Sequence, residues 1–230
     1  MQQAEFDKFA EAYRDLHAAS IRASGETPDF FAEYKVRDLA GIVRDRRIDA
    51  RRVLDFGAGI GGSVPHFRAH LPGTAITCID VSERSLDIGR SRFAGQAEFM
   101  CFDGSRLPFD PGAFDAVFCA CVFHHIDTDE HVALMRELHR VLRPGGILAV
   151  FEHNPLNPLT VRAVEACRYD ENAVLVSAPD MVRRIRSAGF SAVERRFRIF
   201  FPRALRGLRP LERWMRWCPL GAQYLVSACK

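Results

Sequence analysis

The chain has 230 residues, of which 48% are hydrophobic and 27% are charged, and its formal net charge is +3. This composition is ordinary for a globular protein, and the length predicts one domain with a large core. No run of 18 apolar residues occurs, so no transmembrane helix is expected. The N-terminus lacks a signal-peptide layout and the seven cysteines include no C-x-x-C pair, so we expect a cytoplasmic chain with reduced thiols, no disulfide framework and no metal site.

Two helices are predicted before the first strand. Apolar residues recur at helical spacing over residues 3–19, and a second helix is expected from about 28 to 47. Gly25 lies between the two segments and favours a break there. Residues 1–48 are therefore predicted to form an N-terminal helical cap.

Strands and helices then alternate along the chain. The predicted strands are 52–56, 75–80, 97–101, 115–120, 147–153, 193–201 and 222–229, and the predicted helices between them are 62–70, 83–93, 129–142 and 179–188. Because strands that alternate with helices form parallel sheets, the pattern predicts an α/β fold with helices on both faces of one sheet.

The most informative segment is the glycine-rich turn after the first of these strands, residues 53–62, VLDFGAGIGG. Glycines allow the backbone to approach a ligand closely, and open α/β sheets bind ligands where such strands end. Gly57, Gly59 and Gly62 also satisfy the G-x-G-x-x-G pattern of dinucleotide-binding proteins. Asp80, which ends the second strand, suits the ribose of either a dinucleotide or another nucleoside cofactor.

Asp55 separates these alternatives, because the dinucleotide turn usually has an apolar or small residue at this position. With Asp55 the turn resembles the glycine-rich motif of class I S-adenosylmethionine (SAM)-dependent methyltransferases. Further matches follow in the order usual for that family, at 79–82, 102–104, 114–117 leading to His124-His125, and 142–148. The resemblance covers roughly residues 45 to 200.

The resemblance implies a fold and a domain organisation. The fold would be a Rossmann-like three-layer α/β sandwich, with a seven-stranded, mostly parallel sheet whose last strand is antiparallel. A single methyltransferase domain would then consist of the cap at 1–48, a SAM-binding core at 49–201, a substrate-side insertion at 202–220 and a final strand at 221–230.

The resemblance also implies contacts to SAM. Asp55 would receive the methionine amino group, Asp80 the ribose hydroxyls and Asp103 the adenine amino group. The other expected cofactor-binding residues are Tyr13, Gly57, Ala58, Gly59, Val81, Gly104, Ser105, Ala120 and Cys121. Structural alternatives stay open: Tyr13 as a core aromatic, Asp80 as a helix N-cap and Asp103 as an ordinary turn residue.

Methyl transfer from a sulfonium needs positioning above all, and a general base only if the acceptor atom carries a proton. The candidate catalytic residues are His153, Glu152 and His125. Strand alternation predicts that Glu152 and His153 point to opposite faces, so that one of them reaches the substrate. The candidate substrate-pocket residues are Tyr34, Lys35, His124, Asn154 and Trp214.

The insertion at 202–220 contains a predicted amphipathic helix over about 211–217. From Arg195 to Arg216 the chain has eight arginines and one acid, Glu212. Three interpretations stay open: Trp214 and Trp217 pack the helix onto the body, the segment is a lid over an apolar substrate, or it makes peripheral contact with a membrane surface.

The sequence thus predicts a SAM-dependent methyltransferase that transfers a methyl group to an oxygen, nitrogen or carbon of a small-molecule or lipid-like acceptor. No nucleic-acid partner is expected, because the chain lacks an added nucleic-acid-binding module. The alternatives are a non-catalytic SAM-binding protein and, more remotely, a nicotinamide-dependent oxidoreductase or an RNA methyltransferase.

Overall fold

The computed structural model describes residues 13–230, apart from the side chains of residues 13–15 and 169. Seven strands form one sheet: β1 Arg52–Phe56, β2 Ala75–Asp80, β3 Glu98–Cys101, β4 Phe114–Ala120, β5 Leu142–His153, β6 Ser191–Arg198 and β7 Gln223–Cys229. Their order across the sheet is β3-β2-β1-β4-β5-β7-β6. All seven predicted strands are present.

Strand direction confirms the predicted fold class. The pairs from β3 through β5 are parallel, whereas β7 lies between β5 and β6 and is antiparallel to both. In the register of the central strands, Val53 of β1 lies beside Ile76 of β2 and Ala116 of β4. The carboxyl ends of β1, β2, β4 and β5 therefore meet along one edge of the sheet, where ligands of such folds bind.

Helices cover both faces of the sheet. The α-helices are α1 Tyr13–Ser20, α2 Pro28–Asp45, α3 Val64–His70, α4 Glu83–Arg92, α5 His131–Val141, α6 Pro158–Glu165, α7 Ala178–Ser187 and α8 Glu212–Met215. On one face, Leu39 of α2 and Phe67 of α3 join a buried cluster with Phe118 of β4. On the other face, Met135 of α5 and Met181 of α7 belong to a second cluster. The result is the predicted three-layer sandwich.

Local sequence signals explain where several helices begin. Thr27 precedes α2, its hydroxyl accepts the N–H of Phe30, and Pro28 occupies the first turn. Ser82 caps α4 in the same way by accepting the N–H of Ser85. Among the described residues, no helix combines the length and the apolar character needed to cross a membrane.

Two segments differ from prediction, and a third lies partly outside the described residues. The expected helix over 3–19 starts outside the described residues, and its described part is α1. Helix α6 was not predicted, although Asn157 caps it by accepting the N–H groups of Leu159 and Thr160. The predicted helix over 211–217 is present only as the single turn of α8, Glu212–Met215, which directly follows a 3₁₀ helix, Arg203–Leu211. Pro210 has no N–H to continue an α-helical ladder, which favours this short geometry.

Candidate active site

A cavity of about 380 Å³ lies at the carboxyl ends of β1, β2, β4 and β5, with α2 forming a further wall. One part of its lining comes from the glycine-rich turn and includes Asp55, Gly59 and Asp80. Another part contains three histidines, His124, His125 and His153, together with Asp170. Parallel strands and the loops that follow them thus bring a predicted cofactor region and a predicted substrate region into one cavity.

The glycines of the turn have different roles. Gly57 has φ +73°, and a Cβ at this position would lie 2.3 Å from the Val122 side chain, so packing within the protein requires glycine here. Gly59 has φ +51°, and no atom would lie within 4 Å of an added Cβ. Gly59 lines the cavity, together with Ala58. The open space in front of Gly59 is therefore available to a ligand that contacts the backbone.

Asp55 is a buried carboxylate without a complete set of partners. Its side chain is 2% exposed, lines the cavity, and its Oδ2 atom accepts no hydrogen bond. Burial raises the pKa of Asp55 to about 8, and the negative charge of Asp80 adds to this effect while Lys35 opposes it. A buried acceptor that lacks a donor is costly, so this site favours a ligand that brings a cationic donor.

Asp80 organises the cavity wall and is not the N-cap of α4. Its Oδ2 accepts the N–H of Gly59 at 2.8 Å, and its Oδ1 accepts the N–H of Ser82 at 3.0 Å. The capping role belongs to the Ser82 hydroxyl, which was the alternative open from the sequence. Each carboxylate oxygen has two lone pairs, so both can also accept from a ligand hydroxyl.

The residues that line the cavity where adenine was expected are not all those that the sequence predicted. Val81 and Phe102 line the cavity, whereas Asp103, Gly104 and Ser105 are not among the lining residues. Asp103 is exposed, and its Oδ1 accepts both the N–H and the hydroxyl of Ser105 at 2.8 Å. This is the turn geometry that the sequence left open as an alternative. Asp103 therefore lies beside the wall that Phe102 forms.

Ala120 and Cys121 line the cavity after β4, as expected. Cys121 has φ +60°, an uncommon conformation for a residue other than glycine. Its Sγ lies 3.2 Å from Nζ of Lys35, which is buried in α2 and also lines the cavity. The prediction that Lys35 belongs to the pocket thus agrees with its position.

Glu152 lies beneath the cavity rather than in its lining. Its side chain is 1% exposed, and Oε1 accepts the N–H groups of Val122 and Phe123 at 3.0 and 2.7 Å. Its Oε2 lies 2.6 Å from Nδ1 of His124. Burial alone would raise the pKa of Glu152, but His124 outweighs that effect and lowers it to about 2. The candidate catalytic role for Glu152 is therefore replaced by one in positioning the loop after β4.

His124 lies between two carboxylates. Burial alone would lower the pKa of His124, but Glu152 and Asp170 raise it to about 10. Nε2 of His124 and Nε2 of His125 lie 3.5 and 3.3 Å from the same oxygen of Asp170, Oδ1. Burial and the nearby His124 lower the pKa of His125. Two neighbouring imidazoles thus converge on one carboxylate inside the cavity.

His153 lines the cavity from the end of β5, as predicted for one member of the Glu152–His153 pair. Its Nδ1 lies 3.4 Å from Nε2 of Gln223, and the Gln223 oxygen accepts a hydrogen bond from the Tyr34 hydroxyl. Burial and the charge of His124 lower the pKa of His153 to about 4. Tyr34 itself is buried behind Gln223 and does not line the cavity.

Two other predicted pocket residues also lie elsewhere. The Asn154 amide donates to the carbonyl oxygens of Pro219 and Gly221 and so ties the end of β5 to the segment before β7. Trp214 is 59% exposed and does not line the cavity. The side chain of Tyr13 lies outside the described part of the structure, so its predicted contact with SAM stays a prediction.

Several lining residues were not predicted from the sequence. They are His17, Phe31, Phe102, Asp170 and Gln223. Phe102 directly precedes Asp103, so an aromatic residue beside a predicted cofactor contact was a signal that could have been used. Asp170 follows α6 in a short 3₁₀ turn, Arg168–Asp170, and no spacing relative to His124 indicates that the two side chains meet.

Comparison with known proteins agrees with this geometry. Residues 53–146 match the protein family described as "Methyltransferase domain". The chain is thus similar to class I SAM-dependent methyltransferases. It is 30% identical over 176 residues to the O-methyltransferase CnsE of Penicillium expansum, a match that covers 74% of the chain and 62% of the relative. It is 35% identical over 150 residues to the demethylmenaquinone methyltransferase of Clavibacter sepedonicus, covering 64% of the chain and 57% of the relative.

The matches therefore span about three-fifths of the length of these curated relatives. Among solved structures, the chain resembles a Thermotoga maritima protein described as a possible histamine N-methyltransferase. The TM-score is 0.70 and the sequence identity 17%, with 99% of each chain covered. It also resembles the [4+2]-cyclase SpnF, with a TM-score of 0.60, 23% identity, and 84% and 81% of the two chains covered. At these identities the structural likeness establishes the fold alone.

The residues of the cavity fit SAM as a ligand. The orphaned Oδ2 of Asp55 suits the ammonium group of the methionine part, and Gly59 leaves open space beside it. Asp80 carries two oxygens that suit the neighbouring ribose hydroxyls. Val81 and Phe102 provide apolar surface for the adenine ring. The donor and acceptor pattern of the cavity therefore matches the chemistry of SAM.

Proposed function

We propose that this chain uses SAM to methylate a small acceptor with a lipid-like, apolar body. The observation that carries the proposal is the orphaned carboxylate of Asp55, which shares one cavity with His125 and His153. If the ammonium group of the methionine part of SAM binds at Asp55, the rest of the cofactor extends along the wall that Gly59 and Asp80 line. The imidazoles then line the space that is left for an acceptor.

Catalysis rests on positioning in this proposal. Bound SAM would supply an activated methyl group on a sulfonium, with S-adenosylhomocysteine as the leaving group. Asp55 would bind the amino group, Asp80 would bind the ribose, and the backbone at Gly59 would allow close approach. Holding two reactants in the correct geometry can be worth about 7–11 kcal/mol of the barrier. The buried Glu152 contributes indirectly, since it holds the loop that forms the opposite wall.

The acceptor group is proposed to be protic, a hydroxyl or an amine. His125 and His153 both line the cavity, and imidazole nitrogens can accept a hydrogen bond from either group. His153 is held from behind by Gln223, which is itself hydrogen-bonded to Tyr34. A side chain held in this way can orient an acceptor without reorganising. His153 is therefore the residue that we assign to contact with the acceptor group.

Calorimetric titration tests the cofactor assignment. The purified chain is titrated in parallel with SAM, S-adenosylhomocysteine and NAD. We expect both adenosyl ligands to bind with one site per chain and NAD not to bind. Binding of NAD alone would overturn the proposal. Methyl transfer from radiolabelled SAM to hydroxyl- and amine-bearing acceptors, each with a short and a long apolar tail, then tests the reaction and the acceptor class.

The lipid-like character of the acceptor is inferred from the insertion at 202–220. None of these residues lines the cavity, so the lid interpretation lacks support. Trp214 and Trp217 are 59% and 77% exposed, so neither packs the segment onto the body. The exposed apolar side chains of this segment are Leu205, Leu208, Leu211, Trp214, Trp217 and Leu220, which we call the apolar surface.

Positive charge accompanies the apolar surface. The exposed arginines of the same segment are Arg203, Arg206, Arg213 and Arg216. The acid of the segment, Glu212, is buried and accepts the N–H groups of Phe200 and Phe201, so its charge is directed inward. Exposed tryptophan and leucine beside arginine is the chemistry that binds the interface of an anionic bilayer. We therefore assign this surface to contact with anionic lipid.

The apolar surface also lies near one wall of the cavity. Arg209 of the same segment forms an ion pair with Glu26 at 2.7 Å and lies over the Phe30 ring at 4.5 Å. The neighbouring residues Pro28 and Phe31 line the cavity. A chain docked on a bilayer through 202–220 would thus hold this wall close to the lipid, where an amphipathic acceptor resides.

Vesicle sedimentation tests this part of the proposal. We expect binding to vesicles of phosphatidylcholine with phosphatidylglycerol, and much weaker binding to phosphatidylcholine alone. The pair Trp214→Ala and Trp217→Ala should reduce binding, and the pair Arg203→Gln and Arg206→Gln should reduce its dependence on the anionic lipid. The matched control changes Arg136 and Arg186, exposed residues of α5 and α7, to Gln. An equal loss in the control, or no binding by the unmodified chain, would contradict the proposed contact.

A further inference from the structure

Three side chains in the cavity converge on one point. They are His124 and His125, which follow β4, and Asp170, which follows α6. One donor atom from each lies within 4.8 Å of the other two. Two imidazole nitrogens and one carboxylate oxygen form a common ligand set for divalent transition metals in proteins.

The two distances from the Asp170 oxygen to the histidine nitrogens match a tetrahedral metal site. With metal–ligand bonds of about 2.0–2.1 Å, two ligand atoms of a tetrahedral zinc site lie about 3.3–3.4 Å apart. Nε2 of His125 lies 3.3 Å from Oδ1 of Asp170, and Nε2 of His124 lies 3.5 Å from the same oxygen. Octahedral ligands at the same bond length would lie closer, about 2.8–3.0 Å apart. The spacing therefore favours a Zn²⁺-like ion over Mg²⁺.

An outer carboxylate orients one of the imidazoles. Nδ1 of His124 lies 2.6 Å from Oε2 of Glu152, whose other oxygen is held by two backbone N–H groups. Metal-binding histidines usually donate their second ring N–H to such a carboxylate, which fixes the tautomer and directs the free nitrogen at the metal. Here the nitrogen directed at Asp170 is Nε2, so the outer contact required for a metal site is already present.

The charges around the cluster also favour a bound metal ion. Glu152 and Asp170 place two carboxylates in a mostly buried region on either side of His124. A divalent cation would displace the proton that His124 holds between these carboxylates and would offset their charge in its place. A metal with three protein ligands also keeps one position open, and this cluster lines the cavity.

We propose that His124, His125 and Asp170 bind one divalent transition-metal ion of the Zn²⁺ type, with an open coordination position that faces the cavity. Its chemical role rests on the function proposed above: an ion with an open position would lower the pKa of the acceptor hydroxyl, His153 would take the hydroxyl proton, and the oxygen–methyl bond would form as the sulfur–methyl bond breaks and S-adenosylhomocysteine leaves. Metal binding itself does not depend on that function. The sequence did not indicate this site, because Asp170 is distant from the His124-His125 pair along the chain.

Titration with Co²⁺ tests the site directly. The untagged chain is first freed of metal with a chelator and then titrated with Co²⁺, whose visible spectrum distinguishes tetrahedral from octahedral coordination. We expect one equivalent to bind with intense tetrahedral bands, and one equivalent of Zn²⁺ to abolish them. His125→Gln and Asp170→Asn should each remove the bands. Glu152→Gln should keep them but weaken metal affinity by about 10–100-fold.

The matched control is His70→Gln. Nε2 of His70 lies 3.4 Å from Oε1 of Glu33, a histidine–carboxylate pair that does not line the cavity. This variant should bind Co²⁺ as the unmodified chain does, and circular dichroism should establish that every variant is folded. An absence of stoichiometric binding, or bands that survive both His125→Gln and Asp170→Asn, would overturn the proposal and leave a hydrogen-bonded cluster without metal. SAM binding by the metal-free chain separates this result from failure of the cofactor assignment.

Discussion

Glu152 and His124 are joined by a contact of 2.6 Å between Oε2 and Nδ1, at the point where the ends of β4 and β5 meet. The same carboxylate accepts the N–H groups of Val122 and Phe123 through its other oxygen. One buried side chain thus holds both the backbone that follows β4 and the imidazole that faces the cavity. Its removal should affect the geometry of the acceptor region more than the cofactor region.

Replacement of Glu152 tests this role. Glu152→Gln keeps one acceptor oxygen but loses the charge. It also loses either the contact with His124 or the hydrogen bonds from the N–H groups of Val122 and Phe123. We expect a loss of about 2–4 kcal/mol in the free energy of unfolding, since a buried, hydrogen-bonded network is broken. Methyl transfer should fall through kcat, while affinity for S-adenosylhomocysteine changes little. The control is Glu137→Gln, a carboxylate of α5 that accepts the Leu107 N–H outside the cavity. Equal loss of cofactor affinity and kcat would contradict a role confined to the acceptor region.

Replacement of Asp55 tests the orphaned carboxylate. Asp55→Asn keeps the shape but removes the charge that would bind the ammonium group of SAM. Because a hydrogen bond to a charged group is worth about 1.5–3 kcal/mol, we expect about 10–100-fold weaker binding of SAM. Calorimetry measures this change. A folded variant with unchanged SAM affinity would exclude Asp55 as the ammonium acceptor.

Proton release on cofactor binding should report the raised pKa of Asp55. The pKa is about 8 in the free chain, because burial and Asp80 disfavour the charged form despite Lys35. At pH 7 the carboxyl is mostly protonated, so binding of an ammonium group should release up to about one proton. Affinity for SAM should therefore rise from pH 6 to pH 8. Calorimetry in two buffers with different ionisation enthalpies measures the release, which Asp55→Asn should abolish.

The same carboxylate should shape the pH dependence of folding stability. The folded pKa of Asp55 is raised above its ordinary value of 3.8 to about 8, so the folded state binds the proton more tightly than the unfolded state. Its contribution to stability is full below pH 3.8 and is lost as the pH rises toward 8. Between pH 5 and 8, the unfolding free energy of Asp55→Asn should fall less steeply than that of the unmodified chain. Urea denaturation at each pH measures both unfolding free energies. If they changed with pH in the same way in the variant and in the unmodified chain, the raised pKa of Asp55 would be contradicted.

Two glycines of one turn should respond differently to alanine. Gly57→Ala places a methyl group 2.3 Å from Val122, so we expect a large loss of stability. Gly59→Ala meets no protein atom within 4 Å, and its cost of about 1–2 kcal/mol comes from the left-handed backbone alone. Its methyl group would occupy ligand space, so SAM affinity should fall more than stability does. Thermal unfolding and calorimetry measure both effects, and full SAM affinity in Gly59→Ala would show that no ligand approaches this backbone.

The predictability of the fold and of the site differed for a physical reason. The strands were visible because apolar runs and glycine turns are local signals, and β1 through β7 all overlap their predicted ranges, although β5 begins at Leu142 rather than at residue 147. Helix α6 was missed although Asn157 and Pro158 are good start signals. Asp55, Gly59 and Asp80 could be singled out because Asp55 lies within β1, Gly59 lies in the turn after it and Asp80 ends β2, and the positions of these elements were clear.

The acceptor end of the cavity depended on contacts between distant parts of the chain. Sequence alternation correctly separated Glu152 from His153, but no local pattern indicated that Glu152 holds Val122 and His124. Asp103 matched the expected motif, yet its oxygen is used by Ser105 within the turn. Trp214 was expected near the substrate and is instead exposed on α8, outside the lining of the cavity.

The sequence by itself determined the order of the elements, the glycine turn, the acid within β1 and the acid that ends β2, since these depend on residues close together in the chain. Only the tertiary structure decided which groups share a cavity. Packing of the sheet brings Asp170 against His124 and His125, leaves Oδ2 of Asp55 without a donor, and exposes the apolar surface of 202–220. Such relationships follow from the packing of distant segments, which sets burial and distance together.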